Sequence, residues 1–158
     1  MDKKSLSERD ICTQFIVPAL RHAGWDFERQ VREEVSFTRG RVIVRGKLHS
    51  RGEPRRADFV LYHQPNLPLA VIEAKDNKHA VGSGMQQALG YADDLQVPFV
   101  FSSNGDGFLF HDRTGMSAQV EQKLTLDQFP SPKALWARYC QWKGLKDVAI
   151  QRVEAPYY

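Results

Sequence analysis

Apolar residues recur at helical spacing near the start of the chain. Ile11, Phe15 and Ala19, with Cys12, Ile16, Leu20 and Ala23, form one stripe and predict an amphipathic helix. Ser7 precedes the stripe and Asp10 follows it by three residues, the order of an N-cap and its capping-box acid. Pro18 has no N–H to give and should kink or restart this helix. Gly24 should end it, and Trp25 and Phe27 should pack back on the core. From Val31 the period changes to two. Val31, Val35 and Phe37, then Val42-Ile43-Val44, predict antiparallel strands that feed a further strand at Ala57-Asp58-Phe59-Val60-Leu61-Tyr62. Arg51-Gly52-Glu53-Pro54 and Gln64-Pro65-Asn66 are turn clusters. Residues 68–72 are an almost unbroken apolar run, expected of a strand buried on both faces. A polar loop over 76–84 leads to a helix predicted from Met85 to Leu95. Another buried strand at 98–102, a turn at 104–107 and a returning strand at 108–110 make a hairpin. Ser131 and Pro132, as N-cap and first helical residue, open a last helix. This order of helix, strands, helix, strand, strand and helix predicts an α/β domain with a central mixed β-sheet flanked by helices.

Composition narrows the setting. A length of 158 residues suits one domain with a real core. No stretch approaches the roughly twenty apolar residues of a membrane span, and Met-Asp-Lys-Lys-Ser is no signal peptide, so a cytoplasmic protein with no membrane partner is expected. Cys12 and Cys140 lie far apart and in no metal-binding spacing, which fits a reduced compartment. The net charge is only +3, but Arg39, Arg41, Arg45, Lys47, Arg51, Arg55 and Arg56 crowd the stretch before Asp58. Such a segment suits a polyanionic substrate; a solvated hairpin with charged outer faces would account for it equally well.

The chemistry concentrates at Asp58 and at Val71-Ile72-Glu73-Ala74-Lys75. Residues i and i+2 of a strand share a face, so Glu73 and Lys75 project together while Ile72 and Ala74 face away. Asp58 on a neighbouring strand can meet them. Two carboxylates for a divalent cation, with an ammonium beside them, suit metal-dependent phosphodiester cleavage. Ionised groups ending a buried strand are costly unless paired or bound to a metal.

Asp58, Glu73-Ala74-Lys75 and the helical pair Gln87 and Tyr91 resemble the PD-(D/E)xK nuclease superfamily, and the Gln-x-x-x-Tyr spacing resembles its RecB-type branch. Phe15-Ile-Val-Pro-Ala-Leu20, Ala23-Gly-Trp25, Val71 to Asn77, Pro98 to Asp106 and Phe129-Pro-Ser-Pro132 extend the likeness to the N-terminal nuclease domain of type I restriction R subunits. Ala57 stands where the superfamily name expects proline, a position that shapes the strand and supplies no ligand. The resemblance implies a restriction-endonuclease-like core. It implies that Asp58, Glu73 and the Ala74 carbonyl hold Mg²⁺, and that Lys75 positions water or neutralises the phosphate. Gln87 and Tyr91 would align DNA or the lysine. Glu8 is a further candidate for the metal, or simply an acid favoured in the first turn of a helix. The resemblance also implies double-stranded DNA as substrate, methylation (M) and specificity (S) subunits as partners, and an ATP-hydrolysing motor, of which this chain has no Walker A sequence. A nuclease domain at 1–146 and the start of a linker at 147–158 are expected. The rival function is a docking module without catalysis; a stand-alone repair nuclease is a third. His111-Asp112, Gly105-Asp-Gly107 and the Trp136, Tyr139 and Trp142 series are expected to be structural.

Overall fold

The computed structural model describes residues 2–38, 41–42 and 55–144. The expected strand beyond Val42, the turn at 51–54, the side chains of Arg39, Arg41, Arg45, Lys47 and Arg51, and the boundary at 146 lie outside the described residues.

A seven-stranded sheet runs through the domain. Its strands are β1 (Val31–Thr38), β2 (Arg41–Val42), β3 (Arg55–Tyr62), β4 (Pro68–Ala74), β5 (Phe99–Ser103), β6 (Phe108–Asp112) and β7 (Glu121–Leu124), in the order β2-β1-β3-β4-β5-β6-β7. Every neighbouring pair is antiparallel except β4 and β5, which run parallel with Glu73 beside Ser102 and Ala74 beside Ser103. A parallel pair needs a crossover, and the helix α3 (Met85–Leu95) supplies it. The sheet is therefore mixed, as the order of elements implies.

The two faces carry separate cores. On one, Phe59, Leu61, Ile72, Ala74, Phe99 and Phe101 pack with Ile11, Ile16 and Leu20 of the first helical region and Leu135 of α4 (Pro132–Lys143). On the other, Phe37, Val60, Val71 and Val100 pack with Met85, Ala88, Tyr91 and Ala92 of α3. A strand that feeds both cores must be apolar on both faces, which is why residues 68–72 lack alternation.

The first helical region refines one expectation. It comprises α1 (Glu8–Ile11), a wide π-turn at Cys12–Ile16 and α2 (Val17–His22). Ser7 and Asp10 form the expected reciprocal cap, with Asp10 N–H donating to Ser7 Oγ at 3.0 Å and Ser7 N–H to Asp10 Oδ2 at 3.1 Å. Pro18 neither breaks the helix nor restarts it with a new cap. Val17 N–H reaches back five residues to the Cys12 carbonyl, and the widened turn carries the chain past a residue that has no N–H to offer. Gly24, at φ 99°, ends the helix as expected. Trp25 is buried and donates its indole N–H to the Pro130 carbonyl at 2.9 Å.

Strand β1 departs from simple alternation. Val31 belongs to the first core, whereas Val35 and Phe37 belong to the second. Between them Glu34 has φ 52°, a left-handed conformation costly for a residue with a Cβ. The register with β3 is the same on both sides of it, from Val31 opposite Leu61 to Phe37 opposite Arg55, so Glu34 rotates the strand's apolar side without shifting the pairing. Continued through the gap, that register sets Glu34 opposite Asp58.

Candidate active site

The site forms where β3, β4 and β5 meet the start of α3. Phe59 pairs with Ile72, so one step along the same register brings Asp58 opposite Glu73. Side chains replace the ladder there. Asp58 N–H donates to Glu73 Oε1 at 3.2 Å, and Asp58 Oδ2 accepts from Ala74 N–H at 2.8 Å. Each carboxylate is thus fixed by the other strand's backbone. Glu73 is only 4% exposed. Burial first, and then the negative charge of Asp58 and a hydrogen bond to it, push the Glu73 carboxyl up to about 9, while Lys75 pulls the other way. Two carboxylates so placed need a proton or a cation between them.

Lys75 follows at once. Its backbone N–H donates to the Ser103 carbonyl at 2.9 Å, which ties it to β5. Its ammonium donates to Gln87 Oε1 at 3.2 Å, and Gln87 Nε2 donates to the Tyr91 hydroxyl at 2.5 Å. Gln87 and Tyr91 lie one helical turn apart, so a single face of α3 presents both. Tyr91 is anchored by an edge-on contact with Phe37, at 5.3 Å between ring centroids and 85° between planes. The lysine is therefore oriented by a relay that ends in the core.

Glu8 stands at the rim. Burial first, then the charge of Asp58, raise its pKa, while Lys75 and His79 lower it. Among the described residues no group of three or more His, Cys, Asp and Glu side chains is gathered to hold a metal. The donors that face each other are the carboxylates of Asp58 and Glu73. Such an all-oxygen set suits Mg²⁺, which binds through one or two carboxylates and keeps several waters.

Several residues shape the site that the chain's patterning does not reveal. Gly84 N–H donates to Ser102 Oγ at 3.1 Å, and a Cβ on Gly84 would sit 3.1 Å from that oxygen and 3.3 Å from Glu73 Cγ. Any side chain there would require Ser102 or Glu73 to give way by a few tenths of an ångström. Gly84→Val is expected to lose about 1–3 kcal/mol in urea unfolding and to weaken cation binding by moving α3 off Glu73. An unchanged midpoint would show that the helix start can yield freely. Asn77, Asp76 and His79 line the loop beyond Lys75, and the parallel neighbour β5 brings Asn104 to them. The signal for these was the polar run after Lys75; the partner across the sheet had none.

The features expected to be structural behave as such, with one change. His111 and Asp112 are the last two residues of β6 and do not follow it. His111 Nδ1 lies 2.8 Å from Glu121 Oε2 on β7, and Asp112 caps the next turn by accepting from the N–H and hydroxyl of Thr114 and binds Arg138. Gly105 has φ 92° in the β5–β6 turn. Trp136 is buried, stacked on His63 at 3.6 Å and on Tyr139 at 5.5 Å.

Residues 42–118 match the family model for the type I restriction enzyme R protein N terminus. The chain is 49% identical over 159 aligned residues to the type I restriction enzyme EcoAI endonuclease subunit of Escherichia coli, covering 100% of this chain and 20% of that protein. It also superposes on the fragment structure of an HsdR subunit of a type I restriction enzyme from Vibrio vulnificus YJ016, with a TM-score of 0.78 and 38% identity over 97% of this chain and 29% of that one. The chain thus spans about a fifth of its curated relative.

Proposed function

The chain belongs to the N-terminal family of type I restriction enzyme R proteins, and on that premise we propose that it is a Mg²⁺-dependent DNA endonuclease domain. The observation that carries this reading is the facing of Asp58 and Glu73 beside an ammonium whose direction Gln87 and Tyr91 fix. Asp58, Glu73 and the Ala74 carbonyl would hold the ion. When bound, Mg²⁺ supplies Lewis acidity toward a phosphodiester and lowers the pKa of water. Lys75 orients the attacking water or neutralises charge gathering on the phosphate. Gln87 keeps the lysine forward. Double-stranded DNA is then the substrate. Sequence choice would lie with specificity and methylation subunits, and ATP would serve a motor elsewhere in the full subunit. The rival reading, a docking module that joins the motor to those subunits, leaves the cost of a buried Glu73 facing Asp58 unexplained.

Calorimetric titration with Mn²⁺ tests the proposal. The wild-type chain is expected to bind in the presence of a short duplex, and Asp58→Ala to lose that binding. Equal heats in both, or none in the wild type, would move the reading to the docking module. The pH response has a defined sign. Glu73 holds a proton well above the ordinary carboxylate range, so a cation must displace it. Affinity should rise, with protons released, between about pH 6 and about pH 9. The metal-free fold should show the complement. The raised Glu73 value contributes stability that is complete below the ordinary glutamate pKa and is lost as pH rises through about 9. Mn²⁺ should therefore raise the melting temperature more at about pH 8 than at about pH 6.

A further inference from the structure

The loop leaving β4 carries a second polar arrangement that the carboxylate pair does not use. Asp76, immediately after Lys75, accepts at Oδ1 from Lys78 N–H at 3.0 Å and faces His79 Nδ1 at 3.0 Å. His79 N–H in turn donates to the Asp76 carbonyl at 3.1 Å. One carboxylate therefore sets both the turn and the imidazole ring. The turn is also held from behind. Buried Asn77 donates to the Asn104 carbonyl at 2.8 Å, and Asn104 donates to the His79 carbonyl at 2.7 Å. Asn104 Oδ1 accepts from Asp106 N–H at 3.0 Å, and Asp106 pairs with Lys3 at 3.0 Å. This chain of bonds runs from the N-terminal segment through the β5–β6 turn to the backbone of His79.

Stability does not explain it. The His79 side chain is 53% exposed, and a pair so open to solvent adds little to stability. With Nδ1 turned toward Asp76, the ring has Nε2 left to offer. Its surroundings belong to the site: Glu8 senses the charges of Asp58, Lys75, Asp76 and His79 together. His79 thus stands four residues beyond Lys75, on a turn clamped to the loop that leaves β4 beside the carboxylate pair.

We propose that His79 is a substrate-contacting residue that, as the imidazolium, keeps Nδ1–H on Asp76 and donates Nε2–H to a phosphate oxygen of the DNA strand held at Asp58 and Glu73, with Asp76 as the residue that positions the ring. The inference rests on the endonuclease reading above. Phosphate contacts set register and orientation on DNA, so His79 would place the strand and leave the bond-breaking to the carboxylates and Lys75.

The test measures binding of a short fluorescein-labelled duplex to the 158-residue chain by anisotropy, with Ca²⁺ in place of Mg²⁺. Mn²⁺ calorimetry and melting temperature are recorded for every variant. His79→Ala is expected to weaken duplex binding roughly tenfold with metal affinity and melting temperature unchanged. His79→Gln keeps an N–H donor and should recover most of the loss. Asp76→Asn should cost less than His79→Ala, because the ring remains and only its aim is relaxed. Wild-type affinity in His79→Ala, in a chain that binds metal and duplex, would overturn this inference alone. Failure of His79→Gln to improve on His79→Ala would overturn the donor role. A wild-type chain that binds neither metal nor duplex would sink the endonuclease reading and this inference with it.

Discussion

Lys75→Ala is expected to lower DNA cleavage by about a hundredfold to a thousandfold while divalent cation binding stays within several-fold of wild type. The two effects separate because the lysine donates to Gln87 and sits beside the carboxylates without being one of them. On the endonuclease reading, its removal deletes the positive charge aimed at the phosphate. It also removes an influence that holds the Glu73 pKa down, so Glu73 should keep its proton more firmly and the cation should bind slightly less well. Gln87→Ala should reproduce a fraction of the loss, since the ammonium survives but loses the partner that directs it. The measurement pairs cleavage of a plasmid by the subunit assembled with its partners and calorimetry on the chain alone. Wild-type cleavage by Lys75→Ala would remove the lysine from the mechanism, and loss of both cleavage and cation binding would mean that it acts by holding the carboxylates in place.

Phe101→Ala should cost about 3–5 kcal/mol in urea unfolding, a large share of the 5–15 kcal/mol that domains typically possess. Phe101 is fully buried on β5. Its ring stacks on Phe110 at 4.6 Å and 8°, lies 4.5 Å from Phe129, and meets Phe108 edge-on at 6.2 Å. Those partners come from a neighbouring strand and from the segment before α4, so the vacated space has rigid walls on several sides and cannot easily collapse. The loss should reach the site as well. Ser102 and Ser103 follow directly, one accepting from Gly84 and the other from the backbone of Lys75. A change below about 1 kcal/mol would show that the aromatic cluster re-forms around the gap.

The elements legible in the chain were those whose own residues carry the signal. The bounds of α3, Met85–Leu95, agree with the expected helix, and the Ser131–Pro132 start of α4 agrees with its cap chemistry. The facing of Glu73 and Lys75 away from Ile72 and Ala74 follows from strand period alone. The opposition of Asp58 and Glu73 needed only that their strands be antiparallel neighbours. Strand β7 escaped notice because Glu121, Gln122 and Lys123 are exposed on an edge and only Leu124 is part-buried, so no alternation marks it. The rotation of β1 at Glu34 escaped because a glutamate at positive φ leaves no trace in hydrophobicity. The Asn77–Asn104 clamp and the approach of Gly84 to Ser102 both depend on β4 and β5 lying side by side. That pairing is set by the crossover of α3, and a local reading of either strand does not contain it.

The crossover has a consequence for how such a site can travel. Asp58, Glu73, Lys75, Gln87 and Tyr91 all fall within one consecutive β-β-α stretch. The turn between β3 and β4 is short and the loop before α3 covers residues 75–84, so bringing these groups together closes no long loop and costs modest chain entropy. Glu8, and the supports from Phe37, Ser102, Ser103 and Asn104, come from outside that stretch. A reactive centre written on so brief a passage can be inherited whole when a gene is fused, split or recombined, and the flanking segments are free to diverge toward whichever neighbours the new protein meets.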